Sequence, residues 1–347
     1  MTTSARADVQ RSLSVLADGH DLARAQARTL FAAIMSGAAT DAQIGAVLMA
    51  LRVKGETVDE IAGAAQAMRD CSTKVEIDIP YLVDTCGTGG SGAAKLFNIS
   101  TAAAFVAAAA GARVAKHGNR AASSKSGSAD VLEAAGVNIA LTPVQIARCI
   151  REVGVGFMLA VAHHGAMRHA TPARRELGVR TLFNLLGPLT NPAGAPAQVV
   201  GVSDARWQRP LAEVLRELGS RHVLLVHADG LDEISIATTT RVVELDGGKI
   251  DEYDIAPEDF GIARRTLETL RAASVPESLA LVRESLGDPE CAAAEIVALN
   301  AGAAIYASGV ATTLARGVTM AEDAIATGLA TERFDELVRV SSLMAEP

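Results

Sequence analysis

The fold is decided by a stretch that begins Tyr81-Leu-Val-Asp-Thr-Cys-Gly-Thr-Gly-Gly90 and continues to Ala115. The apolar run at 81–84 predicts a strand, the glycines after it predict a tight loop, and residues 100–110 predict an apolar helix. A second short apolar run at 112–115 predicts another strand. A strand, a loop, a helix and a strand in this order are typical of parallel strands joined by crossover helices.

The same alternation extends toward the C-terminus. Further strands are predicted at 155–160, 197–202 and 222–227. Helices accompany them at 128–135, 143–152 and 208–218. One more short strand is predicted at 241–245, and the chain is mostly helical from about residue 277. This pattern predicts an α/β fold with a large domain, in which helices flank a mainly parallel sheet.

The N-terminal part of the chain, residues 9–68, lacks strand-like runs. Its apolar residues recur at helical spacing, which predicts helices throughout. Thr40 and Thr57 carry helix N-terminal signals, because Gln43 and Glu60 follow three residues later. We therefore expect a small all-helical N-terminal unit.

The change of pattern predicts two domains. The small helical domain is expected at 1–76, joined by a helical segment near 168–190. The large α/β domain is expected at 77–347. In such a domain, sites lie outside the carboxyl ends of the strands, so the loops after Asp84, Ala115, Ala160 and His227 should gather at one edge.

Composition narrows the function classes. The net charge is -8 and aromatic residues make up 3% of the chain, which argues against a nucleic-acid partner and against base stacking. The four cysteines form no C-x-x-C pair, so a reducing cytoplasm fits better than a disulfide or zinc framework. With no apolar run of membrane-spanning length, we expect a cytoplasmic protein without a membrane partner.

The first loop, Cys86-Gly-Thr-Gly-Gly-Ser-Gly92, runs toward a predicted helix near Ser100. Glycines let the backbone approach a phosphate closely, and a helix start offers free N–H groups to an anion. A merely tight turn explains the glycines equally well. The loop matches neither the Walker pattern nor the dinucleotide-binding fingerprint.

The second loop spans Lys116 to Ser128 and combines cations, hydroxyls and glycines between an apolar strand and an apolar helix. A solvated surface loop can have this composition. Lysine, arginine and clustered serines before a helix also hold phosphate groups, and we favour that interpretation.

Histidines and arginines follow the third strand. His163 and His164 are adjacent and point in different directions, so one satisfied and one exposed histidine is expected rather than a metal site. Arg174, Arg175 and Arg180 fit a solvated helix face when taken singly. An arginine that faces a pocket would instead suit a carboxylate substrate through a bidentate pair.

Two adjacent carboxylates follow the fifth strand in Asp229-Gly-Leu-Asp-Glu-Ile-Ser235. Carboxylates are ligands for Mg²⁺, which usually takes one or two of them together with substrate phosphates and water. An exposed acidic turn explains the pair of Asp232 and Glu233 equally well.

Five segments are more specific together than any one of them alone. They are Gly87-Thr-Gly-Gly90, Asn98-Ile-Ser-Thr101, the loop from Lys116-His-Gly-Asn-Arg120 to Ser128, Arg180-Thr-Leu-Phe-Asn-Leu-Leu-Gly-Pro-Leu-Thr-Asn-Pro192, and Gly230-Leu-Asp-Glu-Ile-Ser235. In this order and spacing, over nearly the whole chain, they resemble the anthranilate phosphoribosyltransferases. That family shares its fold with the pyrimidine nucleoside phosphorylases.

The resemblance implies an activity and an assembly. Members transfer the phosphoribosyl group of phosphoribosyl pyrophosphate (PRPP) to the amine of anthranilate, releasing pyrophosphate, in tryptophan biosynthesis. The resemblance also implies two Mg²⁺ ions in each active site, an active site at the hinge between the domains, and a homodimer formed through the helical domains.

The resemblance also assigns site residues by position. Contacts to PRPP are implied for Gly87, Gly90, Ser91, Asn98, Ile99, Ser100, Thr101, Lys116, His117, Gly118, Asn119, Arg120, Ala121, Ala122, Ser123, Ser124 and Ser128. Ser100 and Glu233 would hold one metal ion, and Asp232 with Glu233 the second. Contacts to anthranilate are implied for Gly87, Asn119, Arg174, Gly187 and Pro188. No residue is implied as an obligatory acid or base.

The chain departs from the family pattern in the first loop. Ser91 stands where the family usually has Asp, one residue is extra, and Lys95 and Leu96 stand where Thr is usual. Two alternatives follow: a catalytically impaired relative that binds another ligand or nucleic acid, and a pyrimidine nucleoside phosphorylase. Retention of Asp232, Glu233 and Arg174 favours the transferase.

Overall fold

The computed structural model describes residues 3–90, 96–121 and 126–344. Its N-terminal part is a helical bundle of α1 (Thr3–Ala17), α2 (Arg24–Met35), α3 (Asp41–Lys54) and α4 (Val58–Cys71). The predicted starts of α3 and α4 are confirmed. The Thr40 hydroxyl accepts from the Gln43 amide at 3.3 Å, and the Gln43 side chain accepts from the Thr40 amide at 3.0 Å. Thr57 and Glu60 form the same reciprocal pair, which satisfies amides that a helix start leaves free.

The large domain is built on one sheet of seven strands. They are β1 (Leu82–Gly87), β2 (Arg113–Gly118), β3 (Val155–Leu159), β4 (Ala197–Gly201), β5 (His222–His227), β6 (Thr240–Asp246) and β7 (Lys249–Ile255). Their order in the sheet is β3-β2-β1-β4-β5-β6-β7. The first five are parallel, whereas β6 and β7 form an antiparallel extension at one edge. The mainly parallel sheet is thus confirmed.

Helices connect the strands and cover the sheet. They are α5 (Ile99–Ala109), α6 (Ser128–Ala134), α7 (Pro143–Glu152), α8 (Ala160–His163), α9 (Thr171–Leu177), α10 (Phe183–Leu186), α11 (Gln208–Glu217), α12 (Val275–Gly287), α13 (Ala292–Ser308), α14 (Leu314–Ala326) and α15 (Leu329–Leu343). In the described part of the chain, no single helix is long and apolar enough to cross a membrane. Together, α12 and α13 reach that length and composition only as a pair bent by 75°.

Alternate residues of the central strand β4 enter cores on opposite faces of the sheet. On β4, Val199 packs into the core that contains α5 and α13. Its neighbour Val200 packs into a second core, which also contains Leu48 of the helical bundle and Leu186 of α10. Because both the bundle and the 170–189 segment share that second core, one face of the sheet rests directly on the helical part of the chain.

The strand β7 is absent from the sequence-based prediction. Its sequence, Lys-Ile-Asp-Glu-Tyr-Asp-Ile, is mostly charged and largely exposed, so it lacks the apolar run by which the other strands were identified. The available signal is the turn: Gly247 and Gly248 adopt φ values of 55° and 91°, which suits a two-residue hairpin. Charged side chains on an edge strand also discourage pairing with other chains.

Candidate active site

The predicted loops meet where the strand order reverses, between β1 and β4. In a parallel sheet, the crevice beside such a reversal is open to ligands. Gly87 at the end of β1 pairs with Gly201 at the end of β4. A side chain at Gly201 would occupy the position of the Asp232 backbone carbonyl, and one at Gly87 would lie 3.0 Å from Asp232 Oδ2. Glycine at both strand ends therefore allows the acidic segment to approach the glycine-rich loop.

Lys116 crosses from β2 into this crevice and is almost fully buried. Its ammonium donates to the Thr85 backbone oxygen at 2.6 Å and to Ser100 Oγ at 3.3 Å. The Thr85 hydroxyl in turn donates to the Ser100 backbone oxygen at 3.0 Å. Burial is the main influence on Lys116 and lowers its pKa, although Asp84, Cys86 and Glu233 favour the charged form. The ammonium is thus held rigidly at the start of α5.

The acidic pair follows β5 in a tight turn. Asp229 has a φ of 49°, which Asp tolerates better than most residues, and Gly230 has a φ of 83°. On the far side, Asn300 of α13 pairs with both backbone groups of Ile234, at 2.9 Å each. These contacts fix Asp232 and Glu233 between the turn and a buried helix.

Glu233 faces the start of α5. Its Oε1 accepts from the Ser100 backbone amide at 3.2 Å. Burial and, next, the charge of Asp232 raise the pKa of Glu233 to about 8, while Lys116 and the Ser100 amide counteract part of this rise. A cation beside both carboxylates would relieve their repulsion and desolvation. The donor set of two carboxylates and the Ser100 hydroxyl, all oxygen atoms, fits Mg²⁺.

The loop after β2 is closed at its base by Asp130 of α6. One oxygen, Oδ2, accepts from the Ala121 amide at 2.8 Å and from the Gly127 amide at 2.9 Å. The other oxygen accepts from Arg120 at 3.2 Å. Glu133 also binds Arg120, at 2.6 Å. A single carboxylate therefore brings together both ends of the segment that carries the predicted PRPP contacts.

The structure places other predicted PRPP residues around this loop. Asn119 is exposed, and its backbone oxygen accepts from Ser128 Oγ at 3.4 Å. Gly118 packs so tightly that a side chain there would collide with Ser128 Oγ and lie 2.8 Å from Phe157. The predicted contacts Ser91, Ala122, Ser123 and Ser124, like Lys95, lie outside the described residues.

The predicted residues near α5 have different environments. Asn98 Oδ1 accepts from Ser126 at 2.6 Å and from Ser278 at 2.7 Å, so its side chain holds the loop and α12 together. Ile99 and Thr101 are buried, and the Thr101 amide donates to Asn98 O at 3.0 Å. Of the Ile99–Thr101 group, Ser100 is the residue whose hydroxyl reaches the crevice.

A cavity of about 720 Å³ opens beside the crevice. It is lined by Met68, His117, Asn119, Ala160, Val161, His164, Gly165, Met167, Arg168, Thr171, Pro172, Arg174, Arg175, Phe183, Gly187 and Thr190. The predicted anthranilate contacts Asn119, Arg174 and Gly187 are therefore brought together. Pro188 is buried behind them, and its backbone oxygen accepts from Gln198 at 2.8 Å.

Arg174 is half-buried at the wall of this cavity. Its guanidinium carbon lies 5.1 Å from the centre of the Phe183 ring, and burial lowers its pKa from the usual value. A guanidinium supported by an aromatic face still presents its edge to a carboxylate. Arg175, next along α9, is exposed.

The two histidines of the third region are both buried, so the expected exposed histidine is wrong. His163 Nδ1 lies 2.7 Å from Thr73 O and is satisfied. His164 is 5% exposed, faces His117 at 5.1 Å between ring centres, and borders the cavity. Burial, followed by neighbouring histidines, lowers the pKa of His117 to about 3 and that of His164 to about 4. The cavity thus presents neutral imidazoles.

Several supporting residues escaped the sequence analysis. Asp84 is fully buried in β1; its carboxylate accepts from the His117 amide at 3.1 Å and from Asn191 Nδ2 at 2.7 Å. Asn191 also donates to Ala115 O at 2.9 Å. A lone carboxylate within a buried apolar strand is a usable signal, because such a group needs partners.

Comparisons with known proteins agree with this architecture. Residues 10–72 match the helical bundle domain of a glycosyl transferase family, and residues 80–331 match its a/b domain. An anthranilate phosphoribosyltransferase of Cellvibrio japonicus (strain Ueda107) is 57% identical over 335 residues, which are 95% of this chain and 97% of the relative. That of Hahella chejuensis (strain KCTC 2396) is 56% identical over 344 residues, 98% and 99% of the two chains.

Solved structures show the same likeness. Anthranilate phosphoribosyltransferase from Thermus thermophilus superimposes with a TM-score of 0.90 at 43% identity, covering 95% of this chain and 99% of that one. The Saccharomyces cerevisiae enzyme in complex with PRPP and Mg gives a TM-score of 0.87 at 24% identity, covering 97% and 98%. Because the similarity spans both the helical and the α/β parts, the chain is a member of the anthranilate phosphoribosyltransferase family.

Proposed function

We propose that the protein transfers the 5-phosphoribosyl group from PRPP to the amine of anthranilate, releasing pyrophosphate. The observation that carries this proposal is the convergence at one sheet edge of the glycine-rich loop, Lys116, Ser100 and the Asp232–Glu233 pair, beside a cavity bordered by Arg174. This arrangement pairs a cationic and hydroxyl-rich phosphate site with an acceptor pocket suited to an aromatic carboxylate.

Mg²⁺ is part of the proposal, with two ions in each site. Ser100 and Glu233 would hold one ion, and Asp232 with Glu233 the other. Such ions supply charge stabilisation to the pyrophosphate when bound. The yeast enzyme solved with PRPP and Mg has the same fold, which supports the use of this metal.

The chain's own residues would act mainly by positioning and charge. Lys116, fixed by Thr85 and Ser100, places a positive charge near the start of α5, where the N–H groups of the helix also favour anions. The loop closed by Asp130 would hold the ribose and phosphate of PRPP. Arg174 would bind the anthranilate carboxylate and orient the ring in the cavity.

No strong base is required before attack. The amine of anthranilate is neutral at pH 7, so its nitrogen lone pair is available to attack the ribose carbon as the bond to pyrophosphate breaks. The nitrogen then releases one proton to the departing pyrophosphate or to water. His117 Nε2 and His164 Nε2 have no hydrogen-bond partner among the described residues. Both rings are neutral at that pH because burial lowers their pKa values. The cavity therefore adds no positive charge from imidazoles near the amine.

The direct test is the loss of anthranilate fluorescence with PRPP and Mg²⁺, compared with a reaction that lacks metal. We expect metal-dependent loss. A folded protein that leaves the fluorescence unchanged would contradict the proposal. Parallel reactions with phosphate and a pyrimidine nucleoside test the phosphorylase alternative, and a mobility-shift assay tests nucleic-acid binding.

Three further features belong to the proposal. We propose a helical domain at 1–76, joined by the segment near 168–190, and an α/β domain at 77–347; the second core supports this grouping, since it contains both Leu48 and Leu186. We also propose a homodimer through the helical domains. A cytoplasmic location is supported by four cysteines that are all free.

A further inference from the structure

The glycine-rich loop is anchored through its carbonyl groups. Thr88 O accepts from Arg180 Nη2 at 3.2 Å, and Gly89 O accepts from Ser203 Oγ at 2.9 Å. The Thr88 amide donates to Gly201 O at 2.8 Å, which extends the pairing of β1 with β4 by one residue. Two consecutive peptide groups of the loop are therefore held by side chains on the same side.

Holding the carbonyl groups also sets the direction of the amides. In a planar trans peptide, the C=O and N–H groups point in opposite directions. The amides of Gly89 and Gly90 thus point away from Arg180 and Ser203. Neither amide has an acceptor within the described ranges. With φ values of 62° and 104° at Gly89 and Gly90, successive N–H groups can form a concave anion site.

Arg180 fits closely behind this loop. A Cβ at Gly90 would meet the end of the flexible Arg180 side chain, which could swing aside, so the φ of 104° is the feature that favours glycine there. The backbone oxygen of Arg180 accepts from Arg52 of α3. The support therefore runs from the helical bundle, through Arg180, to the glycine-rich loop.

We propose that Arg180 is a positioning residue that, with Ser203, turns the amides of Gly89 and Gly90 toward the pyrophosphate group of PRPP. This inference rests on the proposed function and extends it to a residue outside the predicted ligand contacts. Arg180 acts from behind the loop and does not touch the substrate. Its loss should therefore weaken pyrophosphate binding and leave the anthranilate pocket intact.

The test measures binding of inorganic pyrophosphate with Mg²⁺ by calorimetry, together with KM for each substrate. Arg180→Met keeps the side-chain length but removes the donors. We expect it to weaken pyrophosphate binding about tenfold, as expected for one charge-assisted hydrogen bond, and to raise KM for PRPP but not for anthranilate. Arg180→Lys should restore most of the affinity, because an ammonium can still donate to Thr88 O.

The matched control is Arg206→Met. Arg206 borders the same cavity of about 640 Å³ as Arg180, but it pairs with Asp204 and lies over Trp207. Its loss removes the same charge without touching the loop, so pyrophosphate binding should change less than about twofold. If both variants weakened pyrophosphate binding equally, the effect would come from the positive charge of the cavity and not from the position of the loop. That result would overturn the inference.

Ser203→Ala provides a second variant, because Ser203 holds the adjacent peptide. It should weaken pyrophosphate binding in the same direction, and it decides the matter if Arg180→Met does not fold. Unchanged affinity in the folded variants would overturn the inference. If the native protein binds Mg²⁺-pyrophosphate, the variants bind it more weakly, and no anthranilate is consumed, then the proposed function fails while the positioning role stands.

Discussion

Arg174 is the residue whose loss should separate the two substrates. Its half-buried guanidinium lies against Phe183 and borders the acceptor cavity, away from Lys116 and the acidic pair. For Arg174→Ala we expect kcat/KM for anthranilate to fall roughly thirtyfold, because a charge-assisted pair to a carboxylate is lost. This corresponds to a loss of about 2 kcal/mol of transition-state stabilisation. KM for PRPP should stay near its native value. Steady-state kinetics with each substrate varied in turn measure both.

The control for Arg174 is Arg151→Ala, which removes an exposed arginine at the end of α7. It should leave both KM values unchanged. If Arg174→Ala behaves like this control, the carboxylate is bound elsewhere in the cavity. If both substrates suffer equally, the change is structural rather than specific to anthranilate.

His164 should make the folded state sensitive to acid. Burial first, and then His163, lowers the pKa of His164 to about 4 in the folded protein, whereas an unfolded chain binds this proton near pH 6.5. Its contribution to stability is therefore lost progressively as pH falls from about 6.5 toward 4. Between pH 7 and pH 5, the native protein should lose about 2 kcal/mol more unfolding free energy than His164→Asn.

Urea denaturation of both proteins at the two pH values measures this difference for His164. Asparagine keeps a donor for the Thr190 backbone but carries no titrating group. The exposed His20 offers a comparison for the substitution itself, since His20→Asn replaces an imidazole without altering a buried site. Parallel loss of stability in the native protein and His164→Asn would show that this imidazole is not held neutral.

Among elements, the connection between β2 and α6 depends on one carboxylate. The Asp130 carboxylate accepts hydrogen bonds from the backbone amides of Ala121 and Gly127, at the two ends of the loop, and from the Arg120 guanidinium. Asp130→Ala should raise KM for PRPP roughly tenfold, equivalent to about 1.4 kcal/mol, because the loop loses its closed base. Glu133→Ala is the matched control: within the described residues, the Glu133 carboxylate binds the exposed Arg120 guanidinium, and such surface pairs contribute little.

Kinetics with PRPP as the varied substrate decide the role of Asp130. Circular dichroism of both variants checks that the helices are retained. An unchanged KM in Asp130→Ala would mean that the loop keeps its shape without the carboxylate. An equal rise in Glu133→Ala would assign the effect to Arg120 instead.

The sequence predicted the elements well where local chemistry decides them. Thr40 and Thr57 predicted helix starts because their partners lie three residues away. Strands with apolar runs are also predicted correctly, because the run itself is a local signal. The strand β7 is missed because its residues are charged and largely exposed and form no such run. The support of the glycine-rich loop was also missed, because Arg180 and Ser203 lie far from Thr88 along the chain and meet it only in the folded protein.

At the scale of the whole molecule, the site depends on both parts of the chain. Arg69 of α4 donates to Leu189 O at 2.6 Å and to Leu218 O at 3.1 Å, so the helical bundle holds the segments before β4 and after α11. Such long-range contacts cannot be inferred from periodicity, although the family resemblance anticipates a site at the hinge. Met68 of α4 also borders the acceptor cavity. A displacement of the helical bundle should therefore change the position of one wall of that cavity.

The proposed homodimer gives a prediction for the whole molecule. Light scattering should yield twice the chain mass of 35.8 kDa at micromolar concentration. The helical face tested is that of α2, where Ala25, Thr29 and Ala32 are exposed along a groove of about 590 Å³. Small side chains allow close approach of a second helix surface, and the longer, charged side chain of a glutamate there would prevent that approach. Ala32→Glu should therefore shift the protein to the monomer mass.

The matched control is Ala315→Glu, an equivalent change at an exposed position of α14 in the α/β part. It should leave the dimer intact, because the proposed interface lies on the helical bundle. A monomeric native protein would contradict the dimer itself. A dimer that survives Ala32→Glu but dissociates with Ala315→Glu would contradict the proposed interface, because it would place the contact surface on the α/β part of the chain.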